Sequence, residues 1–312
     1  MTNICIGNAP CSWGSLEFEG LEGGSIGYSQ MLDELAETGY QGTELGDWGF
    51  MPTNSDELRQ ELKHRNLTLL GGFVPVALRY PEQHAPGLVN ALKTANLMAE
   101  VHQKGESKTA PFLVLSDENG ANPKRTLNAG RITPELSLSQ AEWKSFSDGA
   151  SQIAKQVKKQ TGLRTVFHHH CSGFIETPNE IEQLLDLTDP EVLGLVFDTG
   201  HYIYGSGHEG EETITQGLNR FADRIWYIHF KDCHPKIAQA SREEERDYFE
   251  AVKHGVFCEL GQGGVDFKAV KNWLESQHYS GWTLVEQDVL PGMGSPKANA
   301  RRNLEYLRSI GF

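Results

Sequence analysis

The run Leu193-Gly194-Leu195-Val196-Phe197 has the length of a β-strand, contains no polar side chain and stops at Asp198, with Gly200 and His201 close behind. An uninterrupted apolar run marks a strand covered on both faces, as in a parallel sheet lined by helices. A carboxylate at its end does not fill a core. The pattern recurs twice: Ile225-Trp226-Tyr227-Ile228 leads into His229-Phe230-Lys231-Asp232, and Trp282-Thr283-Leu284-Val285 leads into Glu286. One strand-end acid or histidine is as often a partner for loop amides as a functional group. Three of them, ending separate strands, bring two carboxylates and an imidazole to one place. That donor set suits Mn²⁺, Co²⁺, Fe²⁺ or Zn²⁺ rather than Ca²⁺.

The remaining chain alternates between strand-like and helix-like segments. A strand over Ile4 to Asn8 is followed by a glycine-rich loop with Trp13 and Glu17, then a helix from about Tyr28 to Thr38. Gly42 to Leu45 is the second strand and carries Glu44. A helix capped by Ser55 and ending near Asn66 precedes a third strand, Leu67 to Val74. A helix over Pro86 to Gln103 leads to the fourth strand, Phe112 to Leu115. Glu118 to Pro134 has no apolar period and reads as a lid or binding loop. A helix capped by Ser139 runs to Gln160, the fifth strand spans Leu163 to His170, and a helix from Pro178 ends near Leu187. A charged helical segment, Ser241 to Lys253, separates the seventh and eighth strands. Helices over Asp266 to Gln277 and Pro296 to Ser309 complete the chain. Strict alternation predicts an α/β fold: a single (β/α)8 TIM barrel spanning residues 1–312. An open doubly wound sheet would call for a phosphate fingerprint after the first strand, and Gly7-Asn8-Ala9-Pro10 is not one.

The net charge of −14 and pI near 5.3 disfavour nucleic acid and anionic membrane as partners. The cysteines, Cys5, Cys11, Cys171, Cys233 and Cys258, are odd in number, scattered and without a CxxC pair. Reduced thiols and a cytoplasmic location are expected. The chain enters a strand at once, so no secretion signal and no membrane span is expected.

Further polar residues sit where a barrel keeps its chemistry, after the strands. In the run His168-His169-His170 an extended backbone puts His168 and His170 on one face. Glu176 either completes a metal set or merely precedes a helix capped by Thr177. Lys231 shares a strand face with His229 and can serve as proton donor, proton acceptor or hydroxyl clamp. Glu44 is either a base, a hydrogen-bond partner of a polyol or a loop-capping acid. Trp13 is either an apolar wall for a sugar-like ring or a core residue. Cys171 has no dedicated base. Gly261-Gln262-Gly263-Gly264 is either an anion-binding nest or a plain turn.

Taken in order, Asp198-Thr199-Gly200-His201, His229-Phe230-Lys231-Asp232 and Val285-Glu286-Gln287-Asp288 resemble the xylose-isomerase-like TIM-barrel superfamily of sugar epimerases, inosose dehydratases and an apurinic endonuclease. The segments Ala9 to Gly14, His168 to His170 and Thr188-Asp189-Pro190 are most similar to the inosose dehydratase branch. The resemblance implies a Mn²⁺-, Co²⁺- or Zn²⁺-dependent lyase acting on a keto-polyol through an enediolate. A keto-sugar isomerase or epimerase using the same metal is the alternative. It implies Asp198, His229 and Glu286 as metal ligands, with Glu176 or else His170 from the fifth strand's end, where epimerases place a glutamate. Glu286 and Glu176 would be the bases, with His201, His170 or Lys231 donating. His168, His201, Glu44, Trp13 and Lys231 would hold the substrate. A homo-oligomer is expected by the same resemblance, and the acidic surface speaks against the endonuclease activity.

Overall fold

Eight parallel strands close into a barrel, each bonded to its sequence neighbours and the last to the first: β1 (Ile4–Asn8), β2 (Gly42–Glu44), β3 (Thr68–Pro75), β4 (Phe112–Ser116), β5 (Thr165–His168), β6 (Leu193–Asp198), β7 (Ile225–Phe230) and β8 (Gly281–Val285). The structure is a computed structural model that describes residues 4–14, 26–105, 107–207, 213–290 and 294–312; Glu17 lies outside them. No described helix is long and apolar enough to cross a membrane, and among the described residues no two cysteines are joined by a disulfide.

The pleat of the strands decides what faces inward. Leu70, Val114, Val166, Val196, Tyr227 and Leu284 form the barrel's interior cluster, while Phe167, Leu195, Phe197, Ile228 and Val285 pack outward against the helices. Fully burying side chains of this kind contributes about 1.5–3 kcal/mol each. Successive side chains alternate faces, so His168, Asp198, His229 and Glu286 each stand two residues beyond an interior residue: Val166, Val196, Tyr227 and Leu284. Register sets them side by side, with Asp198 opposite His229 and Leu284 opposite His229 on the other flank.

Several boundaries differ from the sequence reading. Asn54, not Ser55, caps the second helix, accepting from the backbone N–H groups of Asp56 and Glu57; Ser55 is its first residue and donates its hydroxyl to Glu100. The next helix begins at Pro81 rather than Pro86, because a proline at the first helical position forfeits no hydrogen bond. β5 ends at His168. The chain then reverses through Ser172, whose φ is 73°, and the His170 N–H bonds the Ile175 carbonyl. His170 lies beyond the strand, yet its ring centre stays 5.7 Å from that of His168, so the two remain on one side as expected. The segment after β7 holds two helices, Pro235–Glu243 and Tyr248–Lys253, closed by an antiparallel ribbon of Asp232–Cys233 with Phe257–Cys258. Short helices Thr199–Ser206 and Ile214–Arg220, absent from the sequence reading, follow β6.

The stretch expected to be a free loop, Glu118 to Pro134, contains the helix Pro123–Leu127 and is pinned from below. The Arg125 guanidinium, 1 % exposed, donates to both Glu180 oxygens at 2.8 and 2.9 Å and to the Gly173 carbonyl at 2.7 Å. The Glu180 carboxylate in turn accepts the N–H groups of Glu176 and Thr177. Removing one partner of a buried pair strands the other, so Arg125→Ala is expected to lower stability by about 3–5 kcal/mol. Urea unfolding checks this, and the Arg125→Met/Glu180→Leu double variant should recover part of the loss.

Candidate metal centre

His168, Asp198, His229 and Glu286 each present a ligand atom, and the four atoms lie within 4.8 Å of one another. His168 Nε2 is 4.0 Å from Asp198 Oδ2 and 3.9 Å from Glu286 Oε2, and His229 Nδ1 is 2.7 Å from the same Glu286 oxygen. Ligands each about 2.0–2.2 Å from one ion stand at most roughly 4.2 Å apart, so these spacings fit a shared cation. A second observation agrees: among the described residues, His168 Nε2 and Asp198 Oδ2 are buried without a hydrogen-bond partner. Imidazole and carboxylate in this ratio suit a first-row divalent ion.

Each donor is aimed by the fold. Asp198 ends β6 and caps the next helix, its Oδ1 accepting the His201 N–H at 2.8 Å while Oδ2 stays open. His229 is oriented by Glu44 at the end of β2, whose Oε1 is 3.2 Å from His229 Nε2. A carboxylate behind a ligating histidine fixes its tautomer and raises its basicity. Glu44, expected to meet substrate, stands behind His229 in this way. Electrostatics follow from the crowding. Burial raises the Asp198 carboxyl to about 7 against the pull of Lys231. Burial opposes the His229 imidazolium, but Glu44 and Glu286 prevail and carry it to about 10. Burial would raise Glu286 too, yet Lys231 and His229 hold it well below the usual carboxylate range.

Glu176, expected as the fourth ligand, lies outside the four. Its carboxylate accepts the N–H groups of Gly130 at 2.6 Å and Ser172 at 2.8 Å, and burial lifts it to about 7. The chain reversal at Ser172 carries it away from the β5 terminus, which offers His168 instead. His168, expected among the substrate contacts, thus stands with Asp198, His229 and Glu286 in the candidate donor set. His170 does not join them: its Nδ1 contacts the Cys171 carbonyl and its Nε2 lies 3.4 Å from the Tyr248 hydroxyl. His169 faces the helices, its Nε2 accepting the Asp198 N–H.

Around the four stand the remaining candidates. His201 packs against His170 with ring centres 3.8 Å apart and planes tilted by 43°, and both rings lie within 6 Å of His168, at 5.8 and 5.7 Å. The Cys171 N–H donates to His201 Nδ1, which leaves His201 Nε2 buried, bearing the proton and unpartnered. Lys231 is 1 % exposed and pairs with Glu286 and Asp288. Trp13 is 2 % exposed, belongs to the main core and donates its indole N–H to Glu34, so it takes the packing alternative. The glycine loop is a nest, but an occupied one: the Asp232 carboxylate accepts from Gly261, Gly263 and Val265 N–H groups at 2.8 to 3.0 Å. A Cβ on Gly263 would stand 2.2 Å from Asp232 Oδ1.

A closed parallel barrel with such a cluster at the C-terminal ends of its strands places the molecule among the (β/α)8 enzymes, which keep their active sites on that face. A profile of the xylose isomerase-like TIM barrel matches residues 32–310, and the chain belongs to that family. An inosose dehydratase of Geobacillus kaustophilus (strain HTA426) is 32 % identical over 97 % of this chain and 93 % of its own. One from Clostridium tetani (strain Massachusetts / E88) is 26 % identical over 98 % and 96 %. Among solved structures, a 3-keto-D-glucoside 4-epimerase from E. coli superimposes with a TM-score of 0.66 at 18 % identity, covering 98 % of this chain and 100 % of that one. The chain is a carbohydrate-modifying enzyme of the dehydratase or epimerase kind.

Glu44→Gln is expected to weaken divalent-metal binding about 10–100-fold, read by calorimetric titration of chelator-treated protein with Mn²⁺. Glu176→Gln should leave that affinity unchanged while lowering the melting temperature. The reverse ranking would reassign the fourth ligand.

Proposed function

We propose that this enzyme is a divalent-metal-dependent dehydratase of an uncharged keto-polyol of the inosose type. One observation carries the choice of lyase over epimerase. An epimerase that removes and returns a proton on opposite faces of a carbon calls for two opposed carboxylates. Here β5 delivers the His168 imidazole, and the Glu176 carboxylate is committed to backbone N–H groups. The names of the relatives agree with this reading.

A bound divalent ion supplies Lewis acidity to a carbonyl and its neighbouring hydroxyl. The protein's own groups do the rest. Burial holds the His170 imidazole neutral, down to about 3, and with Nδ1 on the Cys171 carbonyl the lone pair is on Nε2, which the Tyr248 hydroxyl 3.4 Å away yields to substrate. That nitrogen accepts the proton on the carbon α to the carbonyl. The C–O bond of the β-hydroxyl breaks as the same nitrogen passes the proton to the departing oxygen. Water leaves, a C=C bond forms, and the resulting enol tautomerises to a dione. The His201 Nε2–H holds a substrate oxygen at the neighbouring position. Glu286, with Oε1 engaged by Lys231, binds rather than abstracts protons.

Charge supports a neutral substrate. The loop after β7, where many barrels grip phosphate, directs its amides at Asp232, and the Lys231 ammonium is already matched by two carboxylates. Incubating metal-reconstituted protein with scyllo-inosose should produce the ultraviolet absorbance of a dione. Chelator should abolish it, Mn²⁺ or Co²⁺ should restore it, and His170→Gln should lower kcat by about 10²–10⁴-fold. Recovery of a stereoisomer without loss of water would establish the epimerase reading instead.

A further inference from the structure

Lys231 carries a buried ammonium 3.1 Å from Glu286 Oε1 and 3.1 Å from Asp288 Oδ2. Its stem passes through a gap left by Gly200, where a Cβ would stand 2.6 Å from Lys231 Cγ. Its Nζ lies 4.8 Å from the centre of the Phe257 ring. Glu286 therefore divides its oxygens: Oε2 faces His229 and His168, and Oε1 faces the ammonium. A second donor group shares this carboxylate. The ligand atoms of Cys11, Glu286 and Asp288 also lie within 4.8 Å of one another. Two donor groups joined through one carboxylate are the layout of a two-metal centre, and here an ammonium is bonded to two of the three residues in the second group.

We propose that Lys231 is a tethered cation in the place of a second metal ion, held there by Asp288, and that it keeps the centre mononuclear. The proposal rests on the metal reading above. Asp288 supplies the second anion that makes burial of the ammonium tolerable. An unpaired buried ammonium costs several kcal/mol, so the lysine stays with both carboxylates rather than leaving for solvent. Glu286 is thereby restricted to offering one oxygen to the metal. Without the ammonium, Cys11, Glu286 and Asp288 become a thiolate and two carboxylates around an open position. A thiolate in that set favours Zn²⁺ or Co²⁺ over Mg²⁺.

The experiment is a titration of chelator-treated protein with Co²⁺, followed by absorbance and by elemental analysis after desalting. Wild type should bind one equivalent. Lys231→Met should bind two, the second accompanied by thiolate-to-cobalt charge-transfer absorbance that Cys11→Ser removes. Adding Asp288→Asn to Lys231→Met should return the count to one. In Lys231→Ala, methylammonium should compete with the second equivalent and spare the first, which provides a reading should Lys231→Met fail to fold. Two equivalents in wild type would overturn the proposal. So would one equivalent in a Lys231 variant that melts cooperatively in chelator. No binding by wild type would instead sink the metal reading itself.

Discussion

Removing four carboxylates from water at one end of a barrel is the constraint that orders everything around them. Glu44, Asp198, Glu286 and Asp288 all gather at the C-terminal ends of β2, β6 and β8. An isolated buried carboxylate is too costly to keep, so each has been given a cationic or hydrogen-bonding answer. Glu44 faces His229, Glu286 faces His229 and Lys231, and Asp288 faces Lys231. Asp198 is answered on one oxygen by the His201 amide and left open on the other. Positive and negative groups thus alternate across the mouth, and the unmatched atoms converge on the space between β5 and β8.

The layer above this floor comes from segments outside the regular βα repeat. The two helices after β7 bury Tyr248, Val252, Val256 and Phe257 against Cys171, Tyr204 and Leu290 in a small core of their own. Arg131, from the loop after β4, ties into the same segment through the carbonyls of Ser241 and Arg246. Tyr248 then meets His170, and Phe257 lies edge-on to His201 and beneath Lys231. The groups proposed for proton transfer and substrate contact are therefore set by the insertion, while the candidate metal donors are set by strand register.

That division explains what was legible in the sequence. β1 was read to the residue, and β6 and β7 were read from their first residues, because their apolar runs lead straight into polar chemistry. Asp198, His229 and Glu286 followed from the same alternation that orients the strands. Glu176 was put forward as the fourth ligand because epimerases end the fifth strand in a glutamate, and the turn through Ser172 that leaves its carboxylate on the Gly130 and Ser172 amides has no sequence signal. His168, which takes its place, was within reach: it is the last residue of β5 on the inward pleat. Glu44 as the partner of His229, 185 positions away, and Asp232 as the occupant of the glycine nest are tertiary contacts with no local trace. Asp288 was quoted as part of a motif, yet nothing in its neighbours along the chain reveals that it faces Lys231.

The pinning of the loop after β4 bears on how a substrate is selected. Arg125, Glu180 and Glu176 bind that loop to the turn after β5 through buried charges and main-chain amides. A loop already fastened in this way has little conformational entropy left to surrender when a molecule binds beside it, so affinity is not taxed by ordering it. For the keto-polyol proposed above, discrimination then falls to steric and hydrogen-bond match against these fixed segments.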